Sequence, residues 1–202
     1  FSGPGAIGGE MFYLTAVWIA HDINSQGGIL VDGKMKKIQI IKGDTQVKPD
    51  VAKKVIEKLI LEDKVDALVG TAGTHITLVA QMMAGLHKKV FMNYCSYSDL
   101  LLDEKNWNPY VFQVMAPNTT QWTLAQAQFY AKRPETKFYL LCQDYAYGHA
   151  YAETFKAAIK KSKPGAQIVG QDFFPLFAKD FAPYLTKIKA SGADVVFCQK
   201  GI

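Results

Sequence analysis

The sequence predicts an α/β protein built from two doubly wound parallel-sheet lobes. Three observations carry this. Short apolar runs rich in strand formers alternate with segments whose apolar residues recur at helical spacing. The links between them are short, as in β-α-β units, whose crossovers make neighbouring strands parallel. The alternation comes in two runs divided at Ala116–Asn118, which sets a first lobe at residues 1–117 and a second at residues 118–202.

The elements follow in order. A helix is expected over about 9–25, with Met11, Leu14, Trp18, Ile19 and Ile23 on or near one apolar stripe and Gly27-Gly28 stopping it. "KKIQIIKGD" reads as a strand, and Pro49-Asp50 opens the helix "VAKKVIEKLILED". A strand at 65–69 leads to a helix over about 76–87, and "KVFMNY" and "YVFQVM" are strands. Pro117-Asn118-Thr119-Thr120 breaks the chain and caps the helix "QWTLAQAQFYAK". The second run reads strand "KFYLLC", helix 148–162, strand "QIVGQDFF", helix 179–190 and strand "DVVFCQ". Ser2-Gly3-Pro4 reads as the turn after a strand that is not present, and the second run stops at its third strand. The first lobe is therefore expected to lack its first strand and the second to be incomplete, so that the chain is part of a longer one.

Composition narrows the function classes. The 202 residues carry a net charge of +5, with lysines scattered along helix faces (Lys53, Lys54, Lys58; Lys156, Lys160, Lys161). A nucleic-acid reader would cluster such charges beside exposed aromatics, so no nucleic-acid partner is expected. No run of about 18 apolar residues is present to span a membrane. The chain starts without Met or signal peptide, which fits a processed chain and leaves export open. His21, His75, His87 and His149 show no ligand-type spacing with carboxylates, so neither a metal nor any other cofactor is expected. No phosphate loop and no nucleophile–base pair stands out, and an enzyme is not expected. Of the three cysteines, Cys142 and Cys198 both end apolar strands; buried thiols are the simplest reading, and a disulfide requires the two strands to be neighbours.

The most informative stretch is "VDALVGTAGTHITLVA", residues 65–80. An apolar strand passes through Gly70 and Gly73, which permit a tight turn, to Thr74, a plausible N-cap for the helix that follows. Helix N-terminal N–H groups opening into such a turn suit an anion. The stretch is neither a Walker loop nor a dinucleotide fingerprint, because the lysine of the one and the third glycine of the other are missing. "GTAGTH", "NYCSYS" and "CQDYAYGH" all leave the carboxyl ends of predicted strands, where ligands of such sheets bind. They point to a cleft shared by the two lobes.

"SGPGAIGGEMFYLTAVWIAHDINSQGGI", "IIKGDTQVKPDVA", "VDALVGTAGTHIT", "CQDYAYGHAYAETFK" and "KDFAPYLTKIKASGADVVF" together resemble the substrate-binding proteins of ABC transporters. The likeness is to the branched-chain amino acid (Leu/Ile/Val-binding) type, the extracellular ligand-binding receptors with the type I periplasmic binding fold. It runs in order along nearly the whole chain. The resemblance implies a two-lobed, usually monomeric protein, periplasmic or extracellular and lipid-anchored. Such a protein closes on a small solute (an amino acid, amide or small carboxylate) and hands it to an ABC permease in the membrane without chemistry. A ligand-sensing regulator or receptor input domain using the same fold is the alternative.

Site residues follow from the same resemblance. Thr74 falls where the family presents a hydroxyl and N–H groups to the ligand carboxylate, with His75 beside it. Cys95 aligns with a backbone contact. Tyr97 aligns with a ligand hydroxyl and is flanked by Ser96 and Ser98, a departure that argues against a simple aliphatic amino acid. Tyr147 matches the tyrosine that closes over the ligand. Gly8 stands where amino acid binders often carry an aromatic residue, leaving more room. The acidic residue that holds a ligand ammonium in the family would lie beyond Ile202.

Overall fold

The computed structural model describes residues 1–2, 6–114 and 118–199. The chain divides into two compact units, Phe1–Asp66 and Ala67–Ile202. Of the expected break at Ala116–Asn118 only Asn118, and of the expected turn at Ser2-Gly3-Pro4 only Ser2, lie among the described residues.

The first unit holds α1 (Ala6–Ser25), the strands β1 (Ile29–Val31) and β2 (Lys34–Lys36), and α2 (Pro49–Leu61). β1 and β2 form an antiparallel hairpin whose two-residue turn, Asp32 and Gly33, has positive φ at both positions (51° and 73°), the geometry that matches strand twist. Gly28 precedes the hairpin because a Cβ there would sit 2.0 Å from the Lys36 carbonyl oxygen. α2 starts with Pro at its first position and buries Ala52, Ile56 and Ile60, spaced four apart on one face. Asp44 accepts from the Gln46 N–H at 3.0 Å.

One expectation fails in this unit. Residues 37–45 form no strand. The polar atoms of Ile38, which a ladder would pair, go instead to one side chain: Asn24 donates to Ile38 O at 2.8 Å and accepts from Ile38 N at 2.7 Å. The apolar stripe of α1 is uncovered. Only Ala20 is buried, while Met11, Leu14, Ile19 and Trp18, the last 72% exposed, face outward.

The second unit holds two parallel three-stranded sheets. In the first, β3 (Ala67–Gly70), β4 (Val90–Asn93) and β5 (Val111–Gln113) lie in that order, with α3 (Thr74–His87) crossing from β3 to β4. In the second, β6 (Lys137–Gln143) is central between β7 (Gln167–Phe174) and β8 (Val195–Gln199). α4 (Thr119–Ala131) precedes β6, α5 (Ala146–Ser162) links β6 to β7, and α6 (Ala182–Ser191) links β7 to β8. β6 is buried from Phe138 onward, as its near-continuous apolar sequence requires of a central strand. Phe138, Leu140 and Cys142 on one face of it pack with Ala152, Phe155 and Ile159 of α5 and with Ala127 of α4. α4 opens with a reciprocal cap, Asn118 accepting from the Gln121 N–H at 2.9 Å while Gln121 accepts from the Asn118 N–H at 3.0 Å.

The α/β class and the parallel, doubly wound order expected from the sequence are those of the structure. The β7-β6-β8 order means that the chain leaves β6 toward one side and then crosses to the other. The carboxyl ends of β6 and β8 therefore flank a topological switch point. The same order makes β6 and β8 neighbours, but Cys142 and Cys198 are not bonded. Cys142 is registered with Gln199 and Leu141 with Cys198. A one-residue offset puts the two thiols on opposite faces of the sheet.

Candidate functional site

The expected site residues other than Gly8 lie just past the carboxyl ends of β3, β4 and β6. The turn after β3 is Thr71-Ala72-Gly73. Gly73 (φ 85°), and not Thr74, is the N-cap of α3, because the chain enters the helix through a backbone conformation that suits glycine. Thr74 is the first helical residue. It is 2% exposed, and its hydroxyl makes no hydrogen bond to a described residue.

Three hydroxyls brace this turn from below. Thr71 Oγ1 lies 2.9 Å from Thr77 Oγ1, Thr77 Oγ1 donates to Ser96 Oγ at 2.6 Å, and Ser96 Oγ donates back to the Thr71 carbonyl at 3.2 Å. Thr77 and Ser96 are buried, so the loop forms in a setting where each bond counts for more than in water. It ties the turn after β3 to the turn after β4.

Asn93, the last residue of β4 and fully buried, shapes that second turn. Its side-chain oxygen accepts from the Cys95 and Ser96 N–H groups at 3.3 and 3.1 Å, and its amide donates to Ser96 O at 2.7 Å. Ser98 caps the short helical turn Asp99–Leu101, accepting from the Leu100 N–H at 3.4 Å. Ser96 and Ser98 thus spend their hydroxyls inside the protein. Tyr97 is held by its carbonyl, which accepts from Thr119 N at 3.0 Å and Thr119 Oγ1 at 3.3 Å, and by its hydroxyl, which donates to the Cys95 thiol.

A line of rings joins the two sheets. His75 meets Tyr145 edge-to-face with centroids 5.7 Å apart, Tyr145 lies 6.1 Å from Tyr147, and Tyr147 meets Tyr97 edge-to-face at 6.0 Å. Tyr147 is 9% exposed at the start of α5. The helix begins this close to the sheet because Gly148 has no Cβ, which would sit 1.9 Å from the Gln143 carbonyl oxygen.

Burial keeps the tyrosines and the Cys95 thiol here neutral. Burial pushes Tyr147 up to about 12, with Tyr97 and Asp99 adding to the effect. Burial also raises Tyr97, with Cys95 adding to it, and raises Tyr145 against the opposing effect of the Gln199 amide. The Cys95 thiol is raised by burial and partly restored by the Tyr97 hydroxyl, so it is no activated nucleophile. At neutral pH the site offers phenol O–H donors and aromatic faces.

Sequence reasoning missed Tyr145, Asn93, Thr77 and Gln199. Gln199 ends β8 at the switch point. It is 6% exposed, its Oε1 accepts from the Gln143 N–H at 3.3 Å, and its amide acts on the Tyr145 phenol. The available signal was a repeat: "LLCQD" and "VFCQK" both end a strand in Cys-Gln. Gly8 lies in the first unit, inside α1 and not in a turn before it, with open space where a Cβ would project. His149 hydrogen-bonds Asp144 at 2.8 Å and stacks on Phe173 at 3.9 Å, facing solvent. Among the described residues no group of three His, Cys, Asp or Glu is placed to hold a metal, and no helix is long and apolar enough to cross a membrane.

A family model described as periplasmic binding protein matches residues 1–201. The chain belongs to the periplasmic binding protein family. Among its relatives is an amino acid binding protein of Pseudomonas aeruginosa, 26% identical over 97% of this chain and 50% of that protein. A solute-binding protein of an ABC transporter from Rhodopseudomonas palustris, solved with 3,4-dihydroxybenzoic acid, is 26% identical with a TM-score of 0.81, over 97% of this chain and 51% of that one. A periplasmic binding protein from Burkholderia mallei is 25% identical with a TM-score of 0.83, over 99% and 51%. The chain thus spans about half the length of the periplasmic binding proteins it matches.

Proposed function

We propose that the protein binds a small carboxylate-bearing solute and delivers it to an ABC permease, acting as a carrier outside the cytoplasmic membrane and not as an enzyme. The observation that carries this reading is the convergence of the Thr74 turn with the ring line His75–Tyr145–Tyr147–Tyr97, at the carboxyl ends of two parallel sheets. A helix N-terminus with an unengaged hydroxyl suits the carboxylate. Tyr97 and Tyr147 come from different sheets, and the lobe boundary expected from the sequence, near Asn118, falls between those sheets. Closure of one lobe on the other would bring the rings over the solute. Cys95, Ser96 and Ser98 serve by shaping the turn that presents Tyr97.

A thermal-shift panel on the full-length protein tests the proposal, using aliphatic and aromatic amino acids, short amides and benzoates, before and after unfolding and refolding to remove any carried-over ligand. A solute at 100 times its Kd adds about 2.7 kcal/mol, a shift of a few degrees. A shift that Thr74→Ala diminishes is the expected result. Absence of any shift after refolding overturns the reading.

A further inference from the structure

The segment Tyr97–Asp99, in the turn after β4, reaches two helices of the second sheet. The first four N–H groups of a helix have no partner inside it. In α4, Asn118 N and Gln121 N close on each other's side chains, at 3.0 and 2.9 Å. The other two go to the turn: Thr119 N donates to Tyr97 O at 3.0 Å, and Thr120 N donates to Asp99 Oδ2 at 2.9 Å. The hydroxyls of the same two threonines follow, Thr119 Oγ1 donating to Tyr97 O at 3.3 Å and Thr120 Oγ1 to Asp99 Oδ2 at 2.6 Å. Both bonds to Asp99 are charge-assisted, and its carboxylate lies at the positive end of the α4 dipole. Asp99 is itself fixed, as the first residue of the short helical turn that Ser98 caps.

Tyr97 is thereby held from two directions. Its carbonyl is tied to α4, next to the Asp99 bonds, and its ring meets Tyr147 in the first turn of α5. Resting on the solute-binding reading above, we infer that Asp99 is a positioning residue of the candidate site. Through Thr120 it docks α4 on the turn after β4, and this sets the Tyr97 ring against Tyr147 before any solute arrives. Asp99 itself touches no solute. It acts on affinity through preorganisation, because the apparent Kd rises as the fraction of molecules with an assembled site falls. Asp99 is half-buried and Thr120 exposed, so water replaces their bonds when they part. The contact is a reversible clasp between the two sheets, outside the packed core.

Double-mutant cycles in denaturant unfolding of the full-length protein test the inference without any solute. Tyr97→Leu and Tyr147→Leu are combined in the wild type and again in Asp99→Ala. In the wild type the ring pair is worth a factor of about 2 to 12 in the folding equilibrium, and in Asp99→Ala that factor falls to about one. Asp99→Asn keeps an oxygen that accepts both Thr120 bonds, so it should retain the coupling. A residue that only caps α4 would lower stability in Asp99→Ala and leave the coupling intact, and that result overturns the inference, as does simple additivity in the wild type. Should Asp99→Ala fail to fold, Asp99→Ser, uncharged and one bond shorter, makes the same test. Any compound that shifts the wild type in the thermal-shift panel should bind Asp99→Ala more weakly and Asp99→Asn nearly as well. Equal binding by Asp99→Ala overturns the inference while the solute-binding reading stands. A wild type that no compound shifts overturns that reading, and the coupling still decides the role of Asp99.

Discussion

The Tyr97 and Tyr147 rings meet edge-to-face with centroids 6.0 Å apart, one carried by the turn after β4 and the other by the first turn of α5. Together with His75 against Tyr145, this pair ties the two sheets at their carboxyl ends. A double-mutant cycle with Tyr97→Leu and Tyr147→Leu should give a coupling of about 0.5–1.5 kcal/mol in denaturant unfolding. Simple additivity would mean that the rings do not interact in solution.

Thr77 lies beneath the Thr74 turn and donates to Ser96 at 2.6 Å. Thr77→Val keeps the shape and leaves buried hydroxyl partners unanswered, so it should cost about 1–3 kcal/mol of stability. Thr77→Ser keeps the donor and should cost clearly less. Urea unfolding of the two variants side by side decides the point; equal losses would assign Thr77 a packing role only.

The buried tyrosines give the protein an alkaline limit. An unfolded tyrosine loses its proton near 10.0, whereas Tyr147 holds its proton to about 12. Between these values the folded state binds more protons, so stability is intact below about pH 10 and falls as pH rises through 12. Phenolate absorbance should therefore develop in step with the loss of tertiary circular dichroism. A full phenolate signal at pH 11 in a still-folded protein would contradict this.

Three thiols should titrate under denaturing, non-reducing conditions, because no disulfide joins Cys95, Cys142 or Cys198. In the native protein Cys198, which is exposed, should react first and Cys142, packed among Phe138, Leu140 and Phe155, last. Burial also pushes the Cys142 thiol up to about 12, which removes the reactive thiolate. A count of one thiol would point to a disulfide and to a different register between β6 and β8.

Local pattern was enough to determine the α/β class, the six α-helices among the described residues, and the strands of both parallel sheets. Each depends on the period of its own apolar residues and on nearby turn chemistry, as in the Asn118 cap and the run "QIVGQDFF", which matches β7 at both ends. What the sequence could not decide depends on a partner far along the chain. Residues 37–45 have strand-like composition, but a strand exists only where another lies beside it, and Asn24 answers Ile38 instead. Thr74 reads as a cap until Gly73 is seen to take the left-handed conformation ahead of it. Ser96 and Ser98 look like ligand hydroxyls in a string of letters, yet tertiary packing turns one toward Thr77 and Thr71 and the other onto Leu100 N. Gln199 acquires meaning only from the β7-β6-β8 order, which sets it beside Tyr145, 54 residues away in sequence. Periodicity is a property of neighbours in the chain. The partners of buried polar atoms are set by which strands become neighbours in space, and that choice belongs to the whole fold.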